Sequence, residues 1–439
     1  MATIGLLSTK AIGQYHLPRQ PRVHLTTLPG AVLLTWLAGV ALLDWWFPID
    51  TTNRAFPQTL RLVLVVLLSV YCLSVLPTLM RIKVAWFQLL WLIFMCARFL
   101  YTDSLEREDA LYVGYYAIWI VVFWAAYCLS SRGHITTHQV AFAGTLMNAV
   151  TCVYDILFIY LGRRPGQPDA PVASGLFSLG EAYVLLWFLL MQALAPIKAF
   201  GAVVALTSVV VVIFGLERGA LISMLLGLFV YSWVHAYIKH RTKRSGIRWL
   251  IPTLIAISLA CYVAAGEIVA RWSDLSDPAK AGSGRLRFWT TIADNWLNAD
   301  VVTKLIGSGP RTVQVLLGNA VAFAHNDLLE QLHCFGIFGA LLYVLVCLAL
   351  LRECYLLIKR RSAHADVFCA ATVVFISTGL YCIASYATST VWFSLAAGVT
   401  LGTHTKSLRR KRTRIFRLIP FPNSHENPLL RQLGRRPVR

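Results

Sequence analysis

Long runs of apolar residues recur along this chain and limit what it can fold into. A bilayer core about 30 Å thick is spanned by about 20 residues of α-helix, and a helix satisfies its own backbone hydrogen bonds where there is no water. Apolar residues make up 57% of the sequence, charged residues only 14%, and the mean hydropathy is +0.64. Water-soluble domains rarely have this balance. The sequence therefore predicts an all-α integral membrane protein.

The apolar runs predict about twelve transmembrane helices. They lie at roughly 31–47, 61–79, 84–101, 111–129, 140–161, 176–195, 199–216, 219–237, 249–266, 334–351, 367–384 and 388–402. The last run is short, and the two runs on either side of Glu217 are also compatible with one broken helix.

The positive charge is concentrated in alternate loops. With a cytoplasmic N-terminus, the inside loops carry most of the 40 Lys and Arg residues but only three of the 20 Asp and Glu residues. These loops are 1–30, 80–83, 130–139, 195–198, 238–248, 352–366 and 403–439. Cytoplasmic loops of membrane proteins are enriched in Lys and Arg, so the pattern predicts an N-in/C-in topology with an even number of spans. The net charge of +20 then reflects membrane orientation and not nucleic-acid binding.

Two further features bound the function. The ten cysteines include no CxxC pair, and no His, Cys or Asp spacing resembles a metal site, so we expect neither a disulfide framework nor a metal. The basic tail, 403–439, is expected to be disordered against an anionic inner leaflet.

One long polar segment, 267–333, interrupts the apolar runs on the predicted outer face. A Gly-Ser-Gly turn followed by Arg285 to Asn298, with Trp289 and Trp296, predicts an amphipathic helix at the membrane interface. Gly307 to Pro310 should break the helical pattern, and a second helix should begin near His325 and lead into the tenth span. We expect 1–439 to form one polytopic domain with this segment as its large outer loop.

Outward-facing arginines are candidates for binding an anion. Arg218 lies at a membrane boundary, where an arginine is costly unless it reaches the interface or meets an anion. Arg285 and Arg287 follow a glycine-rich turn at the start of a helix, and guanidinium groups bind phosphate oxygens in pairs. Arg164 follows the fifth span. The ordinary alternatives are snorkelling arginines and a solvated helix start, and we interpret Arg311, in a Gly/Pro turn, as structural.

His325 is the candidate general base. Its ordinary pKa, near 6.5, suits proton abstraction at neutral pH, and its position between a loop and a helix allows the ring to face a cavity. The ordinary alternative is a helix-capping histidine. His333 is the competing histidine, within a helix. Asp327 or Glu330 would orient the base or bind hydroxyl groups of a substrate.

Taken together, these stretches resemble the O-antigen ligase and polysaccharide polymerase superfamily. Its members are multi-span glycosyltransferases that take a glycan from undecaprenyl pyrophosphate on the periplasmic side. The matching stretches are Glu217-Arg218-Gly219-Ala220, Gly282-Ser283-Gly284-Arg285-Leu286-Arg287-Phe288-Trp289, Ala324-His325-Asn326-Asp327-Leu328-Leu329-Glu330 and Ser174-Gly175-Leu176-Phe177. The resemblance in predicted topology extends over nearly the whole chain, whereas the matching motifs cover a small part of it.

The resemblance implies roles for these residues. Arg218 and Arg285 would hold the donor pyrophosphate, with Arg287 as the alternative to Arg285, and His325 would activate the acceptor hydroxyl. Arg164, eleven residues before Gly175, resembles an arginine–glycine spacing of the polymerases. Asn326, Asp327 and Glu330 would bind the sugar or orient the base.

The resemblance also implies a location and partners. The protein would lie in the bacterial inner membrane with its active site facing the periplasm, and it would need no cofactor or metal. The donor would be an undecaprenyl-pyrophosphate-linked glycan, the acceptor a second glycan or lipid A–core, and a chain-length regulator or flippase a further partner. The His-Asn-Asp-Leu-Leu-Glu sequence is closer to polymerases, so polymerisation of O-antigen or exopolysaccharide repeat units by an inverting mechanism is the first hypothesis.

Two alternatives remain. A ligase would transfer the finished glycan to lipid A–core, or an O-oligosaccharyltransferase would transfer it to a protein. A transporter or flippase for lipid-linked glycans would account for the many spans, but it would not predict a long outer loop that contains a histidine.

Overall fold

The computed structural model describes residues 55–102, 106–146, 149, 203, 218–239, 258, 285–318, 324–381 and 390–418. Within these ranges every regular element is a helix, which confirms the predicted all-α class. The helices are α1 (Ala55–Ser74), α2 (Leu76–Leu79), α3 (Lys83–Leu100), α4 (Arg107–Arg132), α5 (Arg218–Lys239), α6 (Arg285–Asn298), α7 (Val301–Ile306), α8 (Thr312–Leu316), α9 (Asp327–Lys359), α10 (Ala365–Tyr381) and α11 (Thr390–Leu418). Residues 137–146 are also helical.

Three helices in the described ranges are long and apolar enough to cross a membrane. They are Lys83–Leu100, Glu108–Arg132 and Asp327–Lys359. Shorter apolar stretches occur in α5 and α10. Helices of this length and composition are typical of a membrane protein.

The predicted spans and the observed helices agree in part. The run at 61–79 is divided between α1 and α2, which are separated at Val75, and the described part of the run at 388–402 lies in α11, which extends further. The runs at 84–101, 111–129, 219–237, 334–351 and 367–384 correspond to α3, α4, α5, α9 and α10. The runs at 31–47, 176–195, 199–216 and 249–266, and most of 140–161, lie outside the described residues. The count of about twelve spans and the N-in/C-in topology therefore stay predictions.

Helix α4 packs along α11, and the two helices run in the same direction. A Cβ atom on Gly398 of α11 would lie 2.6 Å from the carbonyl oxygen of Phe123, and one on Gly402 would lie 2.5 Å from that of Tyr127. Small residues four positions apart let membrane helices approach this closely. The glycines of α11 therefore decide which face of this helix packs on α4.

Helix α5 lies antiparallel to α10. Gly227 of α5 packs against Val374, and eight residues further on Nδ1 of His235 lies 2.7 Å from Oδ2 of Asp366. This register places the first residue of α5 level with the end of α10, since a helix rises about 1.5 Å per residue.

The loop helices α6, α7 and α8 lie at one end of the bundle. Arg98, near the end of α3, donates to the carbonyl oxygen of Gly307 at 3.0 Å, and Arg311 contacts Glu106 at 3.2 Å. Helix α6 has the predicted bounds, Arg285–Asn298. The predicted helix that begins near His325 and leads into the tenth span is α9, so residues 327–333 of the predicted outer loop form its first two turns.

Basic residues occupy the opposite end. Helix α11 continues past its apolar part to Leu418, and the ammonium group of Lys406 lies against Gly133 at the end of α4. Disorder was expected from residue 403, but 403–418 are helical. Leu, Lys and Arg favour helix, and extending an existing helix avoids the cost of starting a new one. Residues 419–439 lie outside the described part of the chain.

A kink divides α9 at Gly336, where φ is 66° and ψ is −167°. The backbone N–H groups of Ser308 and Gly309 donate to the carbonyl oxygens of His333 and Cys334, each at 2.9 Å. These bonds satisfy carbonyl groups that the kink would leave without helical partners. The glycine-rich segment before Arg311 thus supports α9.

Candidate active site

The site is built around the junction between the loop and α9. His325 lies immediately before the helix in the left-handed region, with φ at 49°. The capping group of α9 is Asn326, whose Oδ1 accepts from the Leu329 N–H at 3.0 Å. His325 is therefore not the capping residue, and its ring is half-buried next to the loop.

Asn326 also ties the junction to a second helix. Its Nδ2 donates to the carbonyl oxygen of Leu380, in the last turn of α10, at 3.0 Å. Both ends of the Asn326 amide have protein partners, so in this structure the residue acts in positioning. Whether it also contacts a sugar stays a prediction.

The peptide groups on both sides of Ala324 are held by side chains. The Ala324 N–H donates to Oε2 of Glu330 at 2.7 Å, and the Ala324 carbonyl accepts from Nε1 of Trp289 at 2.6 Å. Trp289 belongs to α6 and Glu330 to α9. The residue before His325 is therefore fixed between the loop helix and the bundle.

The two acidic residues of this stretch are fully buried and bonded to tyrosines. Oε1 of Glu330 accepts from the Tyr112 hydroxyl at 2.6 Å, and Oδ2 of Asp327 accepts from the Tyr343 hydroxyl at 2.9 Å. Of the two roles predicted for these carboxylates, the contacts favour orientation of the junction. Sugar binding by them stays a prediction.

The environment of His325 keeps its ring neutral, but its pKa lies below the ordinary value near 6.5 assumed from the sequence, which makes the ring a weaker base. Burial, and secondly the positive charge of Arg285, lower the pKa of His325 from 6.5 to about 4. At neutral pH the ring therefore carries an unshared electron pair that can accept a proton. Among the described residues, no hydrogen bond engages the ring.

The predicted arginines lie in different environments. Arg285 is half-buried at the start of α6, whereas the next candidate, Arg287, is exposed. Arg218 opens α5, so the antiparallel packing on α10 places its backbone at the end of the bundle where Asn326 contacts Leu380. The Arg218 side chain and the whole of Arg164 lie outside the described part of the chain, as does the Gly282–Gly284 turn.

His333, the competing histidine, has a partner at each ring nitrogen. Nε2 lies 3.0 Å from Oδ1 of Asn295 in α6, and Nδ1 lies 3.2 Å from the hydroxyl of Thr312 in α8. The side chain is only 3% exposed. Its contacts are those of a structural histidine that joins three helices.

Arg311 also has structural contacts. One of its nitrogens lies 3.2 Å from Glu106, 3.6 Å from Glu108 and 3.7 Å from Asp109, at the start of α4. Its Nε donates to Gln314 at 3.2 Å. These contacts join the loop to the acidic segment and agree with the interpretation of Arg311 as structural.

Sequence reasoning did not identify Tyr112 or Tyr343 as part of this region, and it gave Trp289 only an interfacial role. A signal for Tyr112 was available: its hydroxyl lies in an apolar run together with that of Tyr116, four residues later. Buried hydroxyl groups in a membrane helix need partners, so such a pair indicates a polar group on a neighbouring helix.

The arrangement thus combines a neutral histidine, an arginine beside it and a rigid junction between loop and bundle. In comparisons with known proteins, no family model matches this sequence, and no curated protein matches it.

Proposed function

We propose that this protein is a membrane glycosyltransferase that uses an undecaprenyl-pyrophosphate-linked glycan as donor. Its first proposed activity is polymerisation of surface-polysaccharide repeat units on the periplasmic face of the bacterial inner membrane. The observation that carries the proposal is the proximity of His325 and Arg285 at the end of the bundle that bears the loop helices.

The proposed reaction divides its tasks between these residues. Arg285 would neutralise the charge that develops on the leaving pyrophosphate, and the further candidates are Arg218, Arg287 and Arg164. His325 would accept the proton of the attacking sugar hydroxyl as the new bond to the anomeric carbon forms. Backside attack would invert the configuration of that carbon. Pyrophosphate is a good leaving group when cations stabilise it, so the proposal requires no metal ion.

The low pKa of His325 fits this sequence of events. Before a donor binds, the charge of Arg285 contributes to holding the pKa of His325 at about 4. A bound pyrophosphate would offset that charge and raise the pKa, which strengthens the base only when the donor is present.

The acceptor distinguishes the proposed polymerase from a ligase. Deleting the polymerase should abolish chains longer than one repeat unit, because no other step joins the units. Deleting a ligase should leave long carrier-linked chains that are not attached to lipid A–core or protein. The lengths and attachment of the glycans in the deletion strain therefore decide between these two activities.

A direct assay tests whether the protein is an enzyme. Purified full-length protein should extend or transfer a defined lipid-linked glycan in the presence of EDTA, and His325→Ala protein should do so far more slowly. A divalent-ion requirement would contradict the proposed metal-independent mechanism. Movement of the lipid-linked glycan across liposomes without any transfer would favour a flippase.

A further inference from the structure

We propose that Glu330 and Trp289 are positioning residues that hold His325 in place by binding opposite sides of Ala324. The role of His325 as base rests on the proposed function, whereas the positioning itself can be measured without catalysis. Glu330 receives the Ala324 N–H at 2.7 Å, and Trp289 donates its indole N–H to the Ala324 carbonyl at 2.6 Å. The backbone N–H and the carbonyl group of Ala324, the residue before the histidine, are therefore both fixed.

The backbone of His325 requires such support. Its φ of 49° lies in the left-handed region, which residues other than glycine seldom adopt unless surrounding contacts hold them there. The Asn326 side chain fixes the following residue by capping α9 at Leu329. With Ala324 held on one side and Asn326 on the other, three side chains fix the backbone at His325 and so the direction in which its side chain leaves the chain.

Glu330 and Trp289 together form a clamp on Ala324. This clamp is anchored in the helix bundle through Tyr112. The Tyr112 hydroxyl in α4 donates to Oε1 of Glu330 at 2.6 Å, while Oε2 of the same carboxylate receives the Ala324 N–H. Both oxygens of Glu330 are engaged and the residue is fully buried. The protein contacts of Glu330 therefore favour an action through Ala324.

The same clamp connects His325 to the helix that carries Arg285. Arg285 and Trp289 are four residues apart in α6, so they lie on one face of the helix. The bond from Trp289 to Ala324 therefore places Arg285 beside the junction, consistent with its effect on His325. We infer that Trp289 fixes the distance between the proposed base and the proposed phosphate-binding residue.

Three conservative variants test the clamp: Trp289→Phe, Glu330→Gln and Tyr112→Phe. Trp289→Phe retains an aromatic ring but loses the indole N–H donor and one of the two fused rings. Trp296→Phe is the matched control, because the Trp296 N–H is buried in the same helix and has no partner among the described residues. Folding is checked by the melting temperature of the full-length protein in detergent.

The first measurement needs no substrate. The rate at which diethyl pyrocarbonate modifies His325, followed by mass spectrometry of its peptide across pH, gives the reactivity and pKa of this histidine. Each clamp variant should raise the modification rate several-fold and move the pKa towards 6.5, whereas Trp296→Phe should match the wild type. Unchanged rates and pKa values in all three folded variants would overturn the proposal, whatever the activity of the protein.

The second measurement separates the clamp from the proposed function. In the transfer assay, Glu330→Gln and Tyr112→Phe should lower kcat with little change in the KM for donor, because they disturb the base. Trp289→Phe should change both, because it also moves Arg285. If the variants alter His325 modification while the wild-type protein transfers no glycan, the clamp stands and the proposed enzyme activity fails.

Discussion

His325 and His333 lie eight residues apart, and they differ in burial and in hydrogen-bond partners. His333 lies within α9, is nearly inaccessible and has a partner at each ring nitrogen. His325 lies before the same helix with a left-handed backbone, and the contacts around it bind its neighbours. The difference indicates that one histidine is used for packing, and that the other is positioned with its ring available for chemistry.

The largest expected effect comes from removing the proposed base. His325→Ala should lower turnover by about 10²–10⁴-fold, the usual contribution of general acid–base catalysis, and leave donor binding nearly unchanged. Turnover, donor affinity and melting temperature are measured on the same preparation. Wild-type turnover in a normally folded His325→Ala protein would remove the distinction between the two histidines.

Arg285→Ala should have the next largest effect. A charge-assisted bond to phosphate contributes about 1.5–3 kcal/mol, so donor affinity should fall by about 10- to 150-fold. Arg285→Lys should recover only part of this loss, because lysine keeps the charge but not the paired donors. Arg311→Ala is the control: its contacts are with Glu106, Glu108 and Asp109, so donor affinity should change much less.

His333→Ala should affect stability more than chemistry. The substitution removes the histidine partner of the exposed Asn295 and the half-buried Thr312, and each lost hydrogen bond costs about 0.5–1.5 kcal/mol. We expect a lower melting temperature and nearly normal turnover per folded molecule. A loss of turnover as large as that of His325→Ala, without a change in melting temperature, would argue that His333 is the base.

A change of pH near neutrality should have the smallest effect on kcat/KM. Because burial and Arg285 lower the pKa of His325 to about 4, kcat/KM should stay level from about pH 8 to about pH 5 and fall only through about pH 4. Arg285→Ala should move this fall to higher pH, because it removes the second cause of the shift. A fall centred near pH 6.5 in the wild type would show that His325 has an ordinary environment.

The same pKa shift has a consequence for stability. Between pH 6.5 and about 4 the unfolded chain binds a proton at His325 that the folded chain does not bind. The contribution of His325 to the free energy of unfolding is therefore fully present above about pH 6.5 and is lost as the pH falls towards 4. Urea or thermal unfolding across this window should show a smaller pH dependence in His325→Ala, which lacks the titrating ring.

The sequence by itself determined the helical class, the boundaries of α6 and the positions of five of the described apolar helices. Apolar periodicity and the length of apolar runs are properties of the local sequence. The sequence alone could therefore predict α3, α4, α5, α9 and α10. It also placed His325 at a loop-to-helix junction and His333 within a helix, as the structure shows, whereas the choice of His325 as base stays a prediction. The interpretation of Arg311 as structural followed from its Gly/Pro turn.

Only the tertiary structure decided which side chains meet. The bond between Trp289 and Ala324 joins residues 35 apart, and that between Tyr112 and Glu330 joins residues 218 apart, distances over which sequence periodicity carries no information. The helical extension to Leu418 was missed because basic composition indicates a solvated tail, whereas continuation of an existing helix costs little. The sequence therefore proposed the reactive groups, and packing between helices determined how His325 is held.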